Sequence, residues 1–134
     1  ANRIRPALER GEWVLSDRYT DVTYAYQGGG CGLPIAQIDS LVGIVHAGAW
    51  PDLTLLLDLP VEQGLARARA RNGADGPDRF ETEELAFFAR VRATYLARAV
   101  AEPARFRVIA ADRSAEEVAV DVRTALARLL EGPP

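Results

Sequence analysis

The stretch DLTLLLDLPVEQGLARARAR, residues 52–71, decides the fold class. Its apolar run from Leu53 to Leu57 is broken only by Thr54 and is bounded by Asp52 and Asp58. A strand covered on both faces of a parallel sheet reads this way, whereas a half-solvated antiparallel strand would alternate. The segment that follows Pro60 is helical, so Arg67 and Arg71 share a face one turn apart while Arg69 lies roughly opposite.

Working outward, Glu12–Ser16 reads as a short strand ending at Asp17, and Arg105–Ile109 as a third. Between and after the strands lie helical stripes: Ile35, Ile38, Leu41, Val42 and Val45; Leu85, Phe88, Val91 and Tyr95; Val118, Val122, Leu126 and Leu129. Ser114 with Glu117 forms a capping box that starts the last helix. The expected order is strand, helix, helix, strand, helix, helix, strand, helix. That alternation predicts an α/β fold: a parallel sheet with right-handed crossovers and helices on both faces. Such sheets hold ligands at the carboxyl ends of their strands, where Asp17, Arg18 and Asp58 fall. Three strands are few, and Ala1–Arg10 reads as the tail of a helix lacking its beginning, so the front of the fold is expected to be missing from this chain.

A chain of 134 residues, 49% apolar, is enough for one domain. No stretch is apolar enough to span a membrane, and the basic residues that open the chain lack the apolar centre of a signal peptide, so the cytoplasm is the expected compartment. Cys31 cannot form an internal disulfide, and with the single His46 it cannot furnish a zinc site. The net charge is −3, yet all 16 cationic side chains are arginine and there is neither lysine nor methionine. Arginine-only usage fits either a bidentate grip on phosphate or the base composition of a genome.

SDRYTDVTYAYQGGG, residues 16–30, concentrates the candidate chemistry. Asp17 and Arg18, adjacent in extended chain, point to opposite sides, so each needs its own partner. They fit either an ordinary surface turn or a pair that holds Mg²⁺ through water and grips a transferring phosphoryl group. Tyr19, Thr23, Tyr24 and Tyr26 offer flat apolar area and hydroxyls, suited to a base or sugar and equally to core packing. The glycines after Gln27 do not match a dinucleotide fingerprint, and a tight helix-ending turn explains them. The polar loop at residues 72–78 is bracketed by Arg67, Arg69 and Arg71 on one side and Arg79, Phe80 and Glu81 on the other. These arginines fit either a solvated helix face or a mobile loop closing over a polyphosphate. His46 and Cys31 read as packing or surface, and Trp13 and Trp50 as core and edge packing.

Together, DRYTDVTYAYQGGGCG, PDLTLLLDLPVEQGLARARARNG, DRFE and AADRSAEEV, in this order and spacing, closely resemble bacterial thymidylate kinases. The resemblance spans almost the whole chain. It implies a P-loop kinase fold, ATP-dependent and Mg²⁺-dependent phosphorylation of deoxythymidine monophosphate (dTMP) to the diphosphate, and a homodimer, with no nucleic-acid partner. It implies that Arg18 contacts the phosphates at the point of transfer, with Asp17 beside the metal and its waters. It assigns Thr23 to the thymine edge, Tyr26 to the deoxyribose and Gln27 to the same pocket, with Tyr19 among the substrate-binding residues. Residues 67–81 become a lid in which Arg67 lies beside adenine and Arg71 reaches the phosphates, with Arg69 and Arg79 in the same lid. Arg113 borders the adenine from its other side, and the glycine run lines the nucleotide pocket.

The chain departs from that family in one large respect: the Gly-rich loop with its lysine, which cradles the donor phosphates, is not among these residues. By the family pattern about 80 residues would precede Ala1, making residues 1–134 the carboxyl-terminal part of a single kinase domain, inactive alone. The competing reading is a non-catalytic nucleotide-binding or dimerisation module, pairing through Ile35–Val45.

Overall fold

A computed structural model describes residues 3–46, 48–72 and 81–131. Its elements are α1 (Ile4–Glu9), α2 (Thr20–Thr23) running into a π-helical stretch (Tyr24–Gly30), α3 (Ile35–His46), β1 (Thr54–Asp58), α4 (Val61–Asn72), α5 (Glu81–Ala101), β2 (Phe106–Ala110) and α6 (Ala115–Glu131). The two strands pair in parallel, Thr54 opposite Phe106 through Asp58 opposite Ala110. Flanking bonds from Thr54 N to Arg105 O and from Ala111 N to Asp58 O, both 2.7 Å, extend the ladder at each end.

Sequence signals account for the element ends. Gly64 N donates to Pro60 O at 3.0 Å, opening α4 directly behind a residue that has no donor of its own. Glu62 in the first turn of α4 and Arg69 and Arg71 in its last complement the helix dipole. The capping box forms as expected: Ser114 N donates to Glu117 Oε2 at 2.9 Å and Glu117 N to Ser114 Oγ at 3.3 Å.

The expected strand at Glu12–Ser16 does not form. The segment joins no ladder, and Trp13 and Leu15 stand 70% and 99% exposed, so Trp13 is not a packing residue. A strand exists through its neighbour's hydrogen bonds. One edge of β1 is taken by β2, and no described residue pairs with 12–16.

Tyr24, Ile38 and Val42 form a small core with Leu33 against it, locking the 20–30 helix to α3. Along its other side that helix meets α5, with glycines at the contact. A Cβ on Gly29 would lie 2.0 Å from Thr94 Oγ1 and 2.9 Å from Arg90 O, and one on Gly30 would lie 2.5 Å from Phe87 Cε2. The glycine run is therefore a seam for close helix packing rather than a cradle, and Gly32, at φ +77°, ends the helix.

Candidate functional site

The loop after residue 16 is shaped by its own backbone. Ser16 Oγ donates to Arg18 O at 2.9 Å, and Arg18 takes φ +66°, a left-handed conformation costly for a side chain with a Cβ. Strain of this kind marks a residue held by its surroundings. The turn carries the Arg18 guanidinium to 5.7 Å from the centre of the Tyr26 ring. Asp17, in the same bend, is exposed.

Tyr26 forms one wall of an aromatic corner, its ring edge-on to Phe87 at 6.0 Å and Phe88 at 6.5 Å. On the same α5, burial raises the Tyr95 hydroxyl's pKa, with Tyr26 adding to the rise and the Arg18 charge opposing it. Arg18 and Tyr26 thus share one place, with Phe87 and Phe88 beside them. Thr23 and Gln27 lie on the same helix, Thr23 half-buried and Gln27 exposed. Tyr19 turns elsewhere: its hydroxyl is 2.9 Å from His46 Nδ1, its ring edge-on to the imidazole, and Thr20 Oγ1 is 3.2 Å from His46 Nε2. His46, the last residue of α3, thereby ties that helix to the Asp17–Arg18–Tyr19 turn.

A second feature opens beyond the carboxyl ends of both strands. A cavity of about 580 Å³ is lined by Leu57, Arg67, Ala111, Arg113 and the face of α6 that carries Val118 and Val122. Arg67 Nη1 donates to Ala111 O at 2.9 Å, and Arg113 Nη2 to Ala110 O at 3.1 Å and to Asp121. Two guanidiniums are thus anchored through carbonyls of one turn, at the strand ends where α/β sheets receive ligands. Arg69 leans toward Glu84 of α5 at 3.6 Å. Arg71 is exposed in the last turn of α4, and no contact among the described residues joins it to Arg18. Arg79 lies outside the described residues.

Ion pairs hold these parts in place. Asp58, expected among the ligand-facing groups at the strand ends, instead takes a bidentate grip from Arg92 at 2.7 and 2.8 Å, which outweighs the opposing effect of burial and lowers its pKa. Asp21, 5% exposed, is gripped by Arg98 and Arg105. Burial alone would raise its pKa, but the hydrogen bonds from Arg105 and Arg98 outweigh burial and leave it below the usual range. An acid two residues from a threonine carries no spacing signal that separates a surface charge from a buried one.

The family model described as thymidylate kinase matches residues 1–122. The chain is 55% identical over 129 residues to a thymidylate kinase of Methylococcus capsulatus, covering 96% of this chain and 61% of that protein. It is 55% identical over 131 residues to one from Pseudomonas syringae pv. syringae, covering 98% of this chain and again 61% of the relative. The crystal structure of thymidylate kinase from Ehrlichia chaffeensis superposes with a TM-score of 0.70 at 27% identity, over 94% of this chain and 55% of that one. The chain thus spans about three fifths of the length of the curated relatives, shares their α/β fold, and belongs to the thymidylate kinase family.

Proposed function

We propose that this chain supplies the acceptor site, the lid and part of the adenine site of a cytoplasmic enzyme that transfers the γ-phosphoryl group of ATP to dTMP, giving dTDP and ADP. The observation that carries the reading is the Arg18 guanidinium held by the Tyr26 ring beside a turn strained at Arg18. A cation held over an aromatic wall suits a nucleotide whose phosphate and planar base need different surfaces.

In this reading a 5′-phosphate oxygen of dTMP attacks the γ-phosphorus while the bond to the β-phosphate bridging oxygen breaks. Arg18 and Arg71 offset the charge on the transferring oxygens, and positioning with electrostatics does most of the work. Tyr26 packs the deoxyribose, Thr23 and Gln27 face the base, and Tyr19 holds the turn from its His46 side. Arg67 and Arg113 flank the adenine, with Arg69 and Arg79 in the 67–81 lid. Asp17, exposed in the same bend as Arg18, would hold Mg²⁺ through water, as suits an ion that keeps its waters and leans on substrate phosphates. Bound there, the ion would neutralise phosphate charge. The exposed apolar stripe of Ile35, Leu41, Ile44 and Val45 on α3 supports pairing of two copies.

The test is a coupled ADP-release assay on the gene product as its organism makes it, with ATP, Mg²⁺ and either dTMP or thymidine. Turnover with dTMP and not thymidine is expected. Absence of dTMP-dependent ADP release, or preference for thymidine, overturns the reading.

A further inference from the structure

Away from the phosphate-facing groups, a network of charges is buried where α2, β1, α5 and β2 meet. Asp21 Oδ1 accepts from Arg98 Nε at 2.6 Å and from Arg105 Nη2 at 2.9 Å, and Oδ2 accepts from Arg105 Nη1 at 2.8 Å. Both arginines also donate to Glu102, each at 2.7 Å, so two cations meet two carboxylates. Arg105 Nη1 reaches Thr54 Oγ1 at the head of β1 at 2.8 Å. The Arg98 guanidinium lies 3.8 Å from the centre of the Tyr24 ring, and the Tyr24 hydroxyl donates to Asp39 Oδ1 of α3 at 2.8 Å. Among the described residues no buried side-chain nitrogen or oxygen lacks a partner.

Such a network does not account for itself through stability, because well-packed apolar residues of similar volume serve as well or better. What it does is fix geometry. Burial separates Asp21 from the residues assigned to the ligand: Asp21, Tyr24 and Ala25 are buried, Thr23 and Tyr26 are half-buried, and Gln27 is exposed. Arg98 belongs to α5, the helix that presents Phe87 and Phe88 to Tyr26. The two walls of the aromatic corner are therefore pinned together by Asp21–Arg98 behind it and by the glycine seam beyond it. We infer that Asp21, through Arg98 and Arg105, is a positioning residue that sets the spacing between the helix of Tyr26 and α5, and hence the grip on the nucleotide monophosphate. This rests on the acceptor-site reading above. Asp21 touches no substrate, and the adenine-side cavity around Arg67 and Arg113 has no part in the network.

The test is steady-state kinetics on the gene product with dTMP and ATP varied separately, alongside thermal melts. Asp21→Asn keeps the volume and removes the charge. The KM for dTMP is expected to rise roughly tenfold or more, as misplacement of a positioned group produces, while the KM for ATP stays unchanged. A triple variant, Asp21→Leu with Arg98→Met and Arg105→Met, replaces the ion pairs around Asp21 by apolar packing, leaves the part-exposed Glu102 to solvent, and covers the case in which Asp21→Asn fails to fold. It is expected to melt like the wild type yet keep the raised dTMP KM. A triple variant that recovers both stability and dTMP KM overturns the inference, as does an Asp21→Asn enzyme with unchanged dTMP KM or with both KM values raised together. If the wild type itself does not phosphorylate dTMP, the acceptor-site reading fails and takes the inference with it. A wild type active on dTMP beside an indifferent Asp21→Asn sinks the inference alone.

Discussion

Arg18 combines a backbone that disfavours it with a side chain the proposed chemistry needs. Glycine adopts φ +66° without the clash of a Cβ. Arg18→Gly is thus expected to hold thermal stability within about 1 kcal/mol of the wild type, while kcat for dTMP falls on the order of 10³-fold, the scale of an arginine acting on a transferring phosphoryl group. Melting curves and kinetics of the same preparation check both halves, and a kcat loss below tenfold removes Arg18 from the transfer step. A second expectation concerns pH. Asp21 and Asp58 have depressed folded-state pKa values, so their contribution is complete above the unfolded value, about 3.9 for Asp, and is lost as pH falls through the folded value. Melting temperature should hold steady down to about pH 5 on their account and drop below about pH 4. Asp21 supplies most of the drop, because the side chains of Asp58 and Arg92 are 20% and 39% exposed and solvent screens that pair. In Asp21→Asn the acid limb becomes shallower, and an unaltered acid limb contradicts the assignment.

Between elements, the contact of the 20–30 helix with α5 depends on missing side chains. Gly29→Ala forces a Cβ into Thr94 Oγ1 and the Arg90 carbonyl, and overpacking of this kind costs about 1–3 kcal/mol. Gly43, within α3, has nothing within 4 Å of a built Cβ and no positive φ. Gly43→Ala is accordingly expected to stabilise by about 0.5–1 kcal/mol. Urea unfolding of the two variants against the wild type measures the contrast, and equal effects would remove the seam. The glycine run also shows why a local pattern misleads. Gly28–Gly30 and Gly32 look alike in sequence, but only Gly32 needs its freedom of φ, while Gly29 and Gly30 are required by a helix that arrives from far along the chain.

For the whole molecule, the surface carries the consequence. Trp13, Leu15, Ile44 and Val100 are 70–99% exposed, and β1 and β2 form a two-stranded sheet. Apolar groups and strand edges in contact with water favour association. The 134 residues expressed alone are expected to bind a hydrophobic dye and to sediment with concentration-dependent mass, without measurable phosphorylation of dTMP, since they contain no lysine to hold donor phosphates. A monodisperse monomer that leaves the dye dark, or one that turns over dTMP, contradicts this. Legible from sequence alone were the parallel β1, the four long helices, the Ser114–Glu117 cap and the family to which the motifs belong. These are local: periodicity, caps and residue order act within a few turns of chain. The tertiary structure alone decided that residues 12–16 pair with no described strand, that Tyr19 turns to His46, that Phe87 and Phe88 meet Tyr26, and that Asp21 lies buried between Arg98 and Arg105. Each depends on which distant segment supplies the partner, and ladder bonds, burial and ion pairing acquire their energies only once that partner is in place.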